Sequence, residues 1–251
     1  MTIVVALANP PREGLVGTEL SASTPLSTAE AAELYEAQLR DLVLAVDRSG
    51  GDLLVNYPEP EALPAHARTE TSPEAELRAV VADTLGGTED VRFEPQVGST
   101  VSARAGNTVT HLLREEGADS VAVVTPTAPL LSRTVIDAAA MKLRTNGVVL
   151  GPSTRGRVHY AGFTEPIDFE AAFEPPSLPT LAARGRDAGL DVEFVESQPT
   201  LETGTDLLDV VPALRARFAA ERIVPEHVAA FVYDHGLDVV FEDGEARVVR
   251  A

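Results

Sequence analysis

Arg155 and Arg157 flank Gly156 in the string Thr154-Arg155-Gly156-Arg157. Two guanidinium groups so close together could grip a phosphate or a carboxylate, because each presents a planar fork of N–H donors. Their competing use is ion pairing with the acids of the chain, and the same choice applies to Arg104. His159 follows two residues after Arg157. An imidazole can act as acid or base near neutral pH, although a lone histidine on a strand is also an ordinary structural residue. Further upstream, the apolar run Val121–Val124 ends in Thr125-Pro126-Thr127-Ala128-Pro129. A strand end of this kind can hold a metal ion through a carboxylate, but this turn contains no acid; Thr127 offers only a hydroxyl, for a ligand or for capping the turn. Ser99, Ser102 and His111 form no recognisable triad, and no G-x-S-x-G, P-loop or G-x-G-x-x-G string occurs. The absence of cysteine excludes a disulfide framework, a thiolate nucleophile and a zinc–thiolate site.

Holding such residues requires strands and helices, and the hydrophobic pattern predicts an alternation of the two. Residues 2–7 form a continuous apolar run, as expected of a strand covered on both faces. Ser27 and Glu30 are spaced as a capping box. After them Leu34, Tyr35, Leu39, Leu42, Val43 and Val46 fall on one helical stripe. Strand 52–57, a Pro-rich polar loop, a helix from Ser72 to Gly86, a short strand 91–96 and a helix closed by Gly117 follow. Strand 121–124 leads to helix 131–145, and strands 146–153 and 157–165 are joined by Thr154-Arg155-Gly156. A helix 178–189, a strand 190–197 and a long helix capped by Thr203 or Thr205 complete the series. Alternation on this scale predicts an α/β fold with a mainly parallel sheet between helical layers. From Arg222 the pattern changes to a short helix and an alternating stretch around Asp243-Gly244, a hairpin signal. The expected organisation is a main domain over 1–221 and a helix–hairpin appendage over 222–251. The hairpin's free edge could pair across a homodimer, unless its acids keep it solitary.

The chain has 251 residues and a net charge of −19, with 39 acids, 20 bases and Lys142 as its single lysine. Such a charge repels nucleic acid and anionic membranes, so neither is expected as a partner. Acid excess with arginine in place of lysine is the habit of proteins from salt-loving microbes, where the Debye length is about 3 Å or less. The acidity therefore points to habitat before it points to a cation ligand. No apolar run approaches the ~20 residues of a membrane span. The opening Met1–Pro10 carries no basic leader and suits a first strand better than a signal peptide. A cytoplasmic protein is expected.

The order of elements and several short strings resemble the glycosyltransferase-like domain of unknown function family 2064. That family is similar to the guanylyltransferases of 2-phospholactate and molybdenum cofactor synthesis. The resemblance runs from residue 1 to about residue 220. The family's K-A-P-x-P-G-x-V-K-T-R-L is matched by Asn9–Leu20, keeping Pro11, Gly14, Val16, Thr18 and Leu20 but placing Asn9, Gly17 and Glu19 at its basic positions. Q-x-G-x-x-L-G-x-R is matched by Gln96–Arg104, keeping Gln96, Gly98 and Arg104, with Thr100 for an acid. G-S-D-x-P becomes Thr125–Pro129, with Thr127 in the place of a metal-binding aspartate. V-V-L-G-P-A-x-D-G-G-Y-Y-L-x-G is matched by Val148–Phe163, where Arg155 stands for an acid and Arg157 for a glycine. D-x-D-T-P-E-D-L is matched by Thr200–Leu207, with Thr200 and Glu202 for the two acids and Thr203, Asp206 and Leu207 retained.

The resemblance implies a GT-A-like, nucleotide-diphosphosugar transferase fold: a three-layer sandwich around a mixed, mainly parallel sheet. It implies a nucleotide or other small anionic ligand near Gly14, Thr18, Gly98, Arg104, Thr127, Arg155 and Arg157. It also implies Mg²⁺ or Mn²⁺, for which Glu202 is the remaining candidate ligand. Glycines and prolines that shape loops persist, while charged residues suited to phosphate and metal are mostly replaced. Two readings follow. One is a metal-dependent nucleotidyl- or glycosyl-transferase using Glu202; the other is a relative that keeps the fold as a weakly active or non-catalytic binding module.

Overall fold

The computed structural model describes residues 1–242 and 244–250. Seven strands form one sheet in the order β3-β2-β1-β4-β6-β5-β7. They are β1 (Thr2–Leu7), β2 (Asp52–Tyr57), β3 (Arg92–Pro95), β4 (Ser120–Val124), β5 (Val148–Pro152), β6 (Val158–Phe163) and β7 (Val192–Phe194). β1 pairs in parallel with β2 and β4, β2 with β3, and β5 with β7. β6 alone runs against its neighbours β4 and β5. The link between β5 and β6 dictates this, since a parallel crossover needs about a dozen residues and Ser153–Arg157 is far shorter. The central runs Thr2–Leu7 and Ser120–Val124 are buried along nearly their whole length, as strands covered on both faces must be.

Helices cover both faces. On one side α2 (Thr28–Asp47), α3 (Pro73–Leu85) and α5 (Arg133–Lys142) contribute Leu39, Leu42, Leu77, Val81, Val135 and Ile136 to the core. On the other, α4 (Val101–Arg114) and α6 (Ser177–Asp187) bring Val109, Leu112 and Leu181 onto the sheet. The expected stripe of α2 is buried throughout, and its capping box forms: Glu30 N donates to Ser27 Oγ and Ser27 N donates to the Glu30 carboxylate. None of the helices is long and apolar enough to cross a membrane among the described residues.

A third hydrophobic cluster joins α1 (Thr18–Ser23), one end of α2, α7 (Gly204–Ala219), α8 (Glu226–Asp234) and the two-stranded sheet of β8 (Leu237–Glu242) and β9 (Glu245–Arg250). α8 is fastened by Asp41 of α2, which is buried and accepts hydrogen bonds from the backbone N–H groups of His227 and Val228 at 3.0 and 2.8 Å and from His227 Nδ1 at 3.0 Å. Arg250 reaches back to Glu30 at 2.6 Å, so the capping carboxylate of α2 also anchors β9. Two elements differ from the sequence expectation. α1 was not anticipated, because six residues are too few to show a periodic stripe. β7 spans three residues instead of the eight expected, because it finds a ladder partner only along Val148–Leu150. The hairpin signal at Asp243-Gly244 falls partly outside the described residues, although β8 and β9 on either side pair as antiparallel strands.

Replacing Asp41 by alanine would leave the N–H groups at the start of α8 without an acceptor. The expected loss is about 2 kcal/mol of unfolding free energy in urea titrations. An unchanged midpoint would show that α8 is held by its apolar face alone.

Candidate functional site

In an open α/β sheet, ligands bind outside the carboxyl ends of the strands where the winding reverses. Here the chain winds outward from β1 to β2 and β3, and then turns back to β4 on the other side of β1. The loops after β1, β3 and β4 therefore surround the expected crevice. Gln96 Nε2 binds Asn56 O at 2.7 Å, drawing the loop after β3 onto the end of β2. Leu201 N binds Thr127 O at 2.7 Å, laying the segment before α7 across the turn after β4. Gly204 N binds Ser23 Oγ at 3.1 Å, linking the start of α7 to α1.

At the first turn of α7 lies Asp206, whose carboxylate has no solvent exposure. Arg157 Nη2 donates to Oδ1 at 2.5 Å and Nη1 donates to Oδ2 at 3.2 Å, a bidentate fork. Arg155 Nη2 donates to the same Oδ1. Oδ2 also accepts from Glu202 N at 3.0 Å, Thr203 N at 2.9 Å and Thr203 Oγ1 at 3.0 Å. Burial pushes the Asp206 carboxyl up, but the Arg157 hydrogen bonds and the two backbone donors outweigh it and leave the group below its ordinary range. For Arg157, desolvation works against the charge and the bonds to Asp206 overcome it, so its pKa is raised. Both partners are held ionised. Asp206 was not among the candidate site residues; its sequence signals are its place in the string matched by Thr200–Leu207 and the cap-like spacing of Thr203 and Asp206 at the start of α7.

Glu202 and Thr127 join this cluster. Arg157 Nη1 lies 3.1 Å from Glu202 Oε2, and Thr127 Oγ1 donates to Glu202 Oε1 at 3.3 Å. Thr127 and Thr125 also share a hydrogen bond of 2.8 Å. The structure thus brings together Thr127, Arg155, Arg157 and Glu202, and the arginine donors face protein carboxylates. A divalent ion would need several oxygen donors free to turn toward it. Glu202 is already paired with a guanidinium, the second expected acid is Thr127, and no group of three or more metal-ligating side chains exists among the described residues. These residues do not fit Mg²⁺ or Mn²⁺.

The remaining candidates have other partners. Arg104 Nε donates to Gly98 O at 3.1 Å, and no carboxylate lies within ion-pair distance of it among the described residues. Gly98 has φ +133°, and a Cβ there would stand 2.8 Å from the Ala103 side chain, so the close packing of this loop on α4 requires glycine. Thr18 is exposed at the start of α1, and Gly14 occupies the preceding loop. That loop's single base, Arg12, is bound within the protein, to Glu76 at 3.0 Å and to the carbonyls of Ala67 and Thr71 at 2.5 and 2.7 Å. His159 is 1% exposed. Its Nε2–H donates to Glu196 O at 3.0 Å and its Nδ1 has no partner. Burial lowers its pKa, with the Glu196 carbonyl opposing, which favours the neutral imidazole.

A groove of about 750 Å³ lies elsewhere, between α4 and residues 167–174. Asp168, Glu170 and Glu174 line it, and they would repel a phosphate. None of the residues that line this groove belongs to the bonded cluster at the start of α7.

The fold has solved counterparts. A protein from Desulfovibrio desulfuricans G20, assigned as a nucleotide-diphospho-sugar transferase, is similar with a TM-score of 0.73 over 93% of this chain and 94% of that one, at 19% identity. A cytidylyltransferase from Leptospira borgpetersenii serovar Hardjo-bovis gives a TM-score of 0.51 over 93% and 94% of the two chains, at 8% identity. Likeness at these identities establishes the nucleotide-diphosphosugar transferase fold. No family model and no curated protein matches the sequence.

Asp206→Asn keeps the side chain's shape and removes the charge that both guanidinium groups face. It should lower the unfolding free energy at pH 7 by about 3 kcal/mol. Because the folded-state pKa is lowered, this contribution is complete above the ordinary value of 3.8 and is lost as pH falls through the folded value. The difference between wild type and variant should therefore shrink on acidification below about pH 4 in urea unfolding curves. A variant as stable as wild type from about pH 6 to pH 2 would show that Asp206 acts through shape alone.

Proposed function

We propose that this chain is a divergent relative of the glycosyltransferase-like family 2064 and its guanylyltransferase kin. In this reading it retains the transferase scaffold as a non-catalytic module for a nucleotide or other small anion. Residues 1–221 form the module and 222–251 an added unit, consistent with the separate two-stranded sheet of β8 and β9.

One observation carries the reading: Glu202, the sole carboxylate candidate for a metal, is occupied by Arg157 and Thr127. Phosphoryl and nucleotidyl transfer rely on positioning and on neutralising developing charge. A carboxylate tied to an arginine supplies neither a metal ligand nor a base. The loop after β1 adds to the argument, since Arg12 is bound to Glu76 and Glu19 stands where a phosphate would need a cation. What remains for an anion is Arg104, with Nη groups free of acids, at the start of α4, whose dipole favours negative charge. The transferase reading rests on the position of Glu202 and Thr127 beside the carboxyl end of β4.

Thermal melting in high salt with GTP, CTP, UDP-glucose and Mn²⁺, singly and together, separates the two. A nucleotide present at about 100 times its dissociation constant adds about 2.7 kcal/mol of stability. The module reading expects a shift with nucleotide that does not depend on Mn²⁺ and is lost in Arg104→Ala. A shift that requires Mn²⁺ and vanishes in Glu202→Gln would establish the enzyme reading instead.

A further inference from the structure

We infer that Arg157 is the resident cation of this site: its guanidinium stands where a divalent ion would have to sit, and removing it turns the cluster into a metal site. The inference rests on the loops around Thr127 being the site proposed above, but its test contains no nucleotide, so the two can fail separately.

The geometry is that of a bridging ion. Arg157 Nη1 lies 3.1 Å from Glu202 Oε2 and 3.2 Å from Asp206 Oδ2, so a single nitrogen bridges two carboxylates. Nη2 completes the fork to Asp206 Oδ1 at 2.5 Å and also reaches Thr154 Oγ1 at 3.1 Å. Deleting the guanidinium leaves two carboxylates and the Thr154 hydroxyl facing one shared space. The Thr127 hydroxyl holds the far oxygen of Glu202. Oxygen donors of this kind, completed by water, suit Mg²⁺ and Mn²⁺. The N–H groups of Glu202 and Thr203 would still orient the Asp206 carboxylate, as outer-shell donors do around bound metals.

Charge leads to the same conclusion. With both arginines present, the cluster of Arg155, Arg157, Glu202 and Asp206 is neutral, and a divalent ion would meet a guanidinium in its place. Without Arg157 the two acids face Arg155 alone. That excess of negative charge, with Asp206 buried, is unfavourable and is relieved by a cation. The side chain is held with 11% exposure, while Glu202, at 42%, leaves a path for an ion from solvent.

The test is Mn²⁺ binding followed by electron paramagnetic resonance and thermal melting, on the full chain, with wild type, Arg157→Ala and Arg157→Ala/Glu202→Gln. Wild type should bind no Mn²⁺ at the cluster and its melting temperature should not move. Arg157→Ala should melt lower than wild type, bind Mn²⁺ at least about tenfold more tightly, and recover part of the lost stability when the metal is added. The double variant should lose that gain. If Arg157→Ala does not fold unaided, refolding yield with and without Mn²⁺ reads the same property, and recovery only with metal supports the inference. Equal Mn²⁺ binding by wild type and Arg157→Ala would overturn it, as would refolding indifferent to metal.

Discussion

The buried carboxylate of Asp206 is the contact on which the upper side of this sheet depends. It sits at the start of α7, where the helix dipole favours negative charge. From there it fixes three pieces of chain at once: the turn between β5 and β6 through Arg155 and Arg157, the segment before α7 through the N–H groups of Glu202 and Thr203, and the helix itself. Arg155 shows how firmly. Its backbone is left-handed at φ 56° and ψ 31°, a conformation that disfavours a non-glycine residue by about 1–2 kcal/mol. The ion pair with Asp206 holds it there.

This arrangement differs in kind from the many other ion pairs of the molecule. Pairs such as Arg186–Asp191, with exposures of 64% and 77%, contribute little and fade with salt. Asp206 and Arg157 are shielded from solvent, so ionic strength weakens them far less. Arginine suits the role better than lysine would, because one planar fork reaches both oxygens of Asp206 and also Glu202. In a chain with a single lysine, the same residue type serves the surface and this interior cluster for different physical reasons.

Much of the fold was legible because burial leaves periodic traces. The stripe from Leu34 to Val46 and the runs at 2–7 and 121–124 became α2, β1 and β4. The three-residue link at 154–156 even contained the sense of the β5–β6 pairing, since so short a connection permits only antiparallel strands. Strand order was not legible: nothing in the composition of β6 says that it lies between β4 and β5. For the site, the sequence marked Arg155 and Arg157 as a pair able to hold an anion. It did not reveal that the anion would be Asp206, about fifty residues on, because ion-pair partners leave no local pattern. His159 illustrates the reverse: its residue type suggested chemistry, and the structure buries it against the Glu196 carbonyl.

The fastening of α8 by Asp41 has a consequence for how the polypeptide reaches its final state. α2 is complete long before residue 226 has been synthesised, yet one flank of that helix is covered only when α8 arrives and offers its free N–H groups. Until then Leu34 and Ala37 lie beside a buried-to-be carboxylate with no apolar cover from this side. Chains made from the amino end fold progressively. One flank of α2 therefore lacks its apolar cover until residues 226–234 have been made.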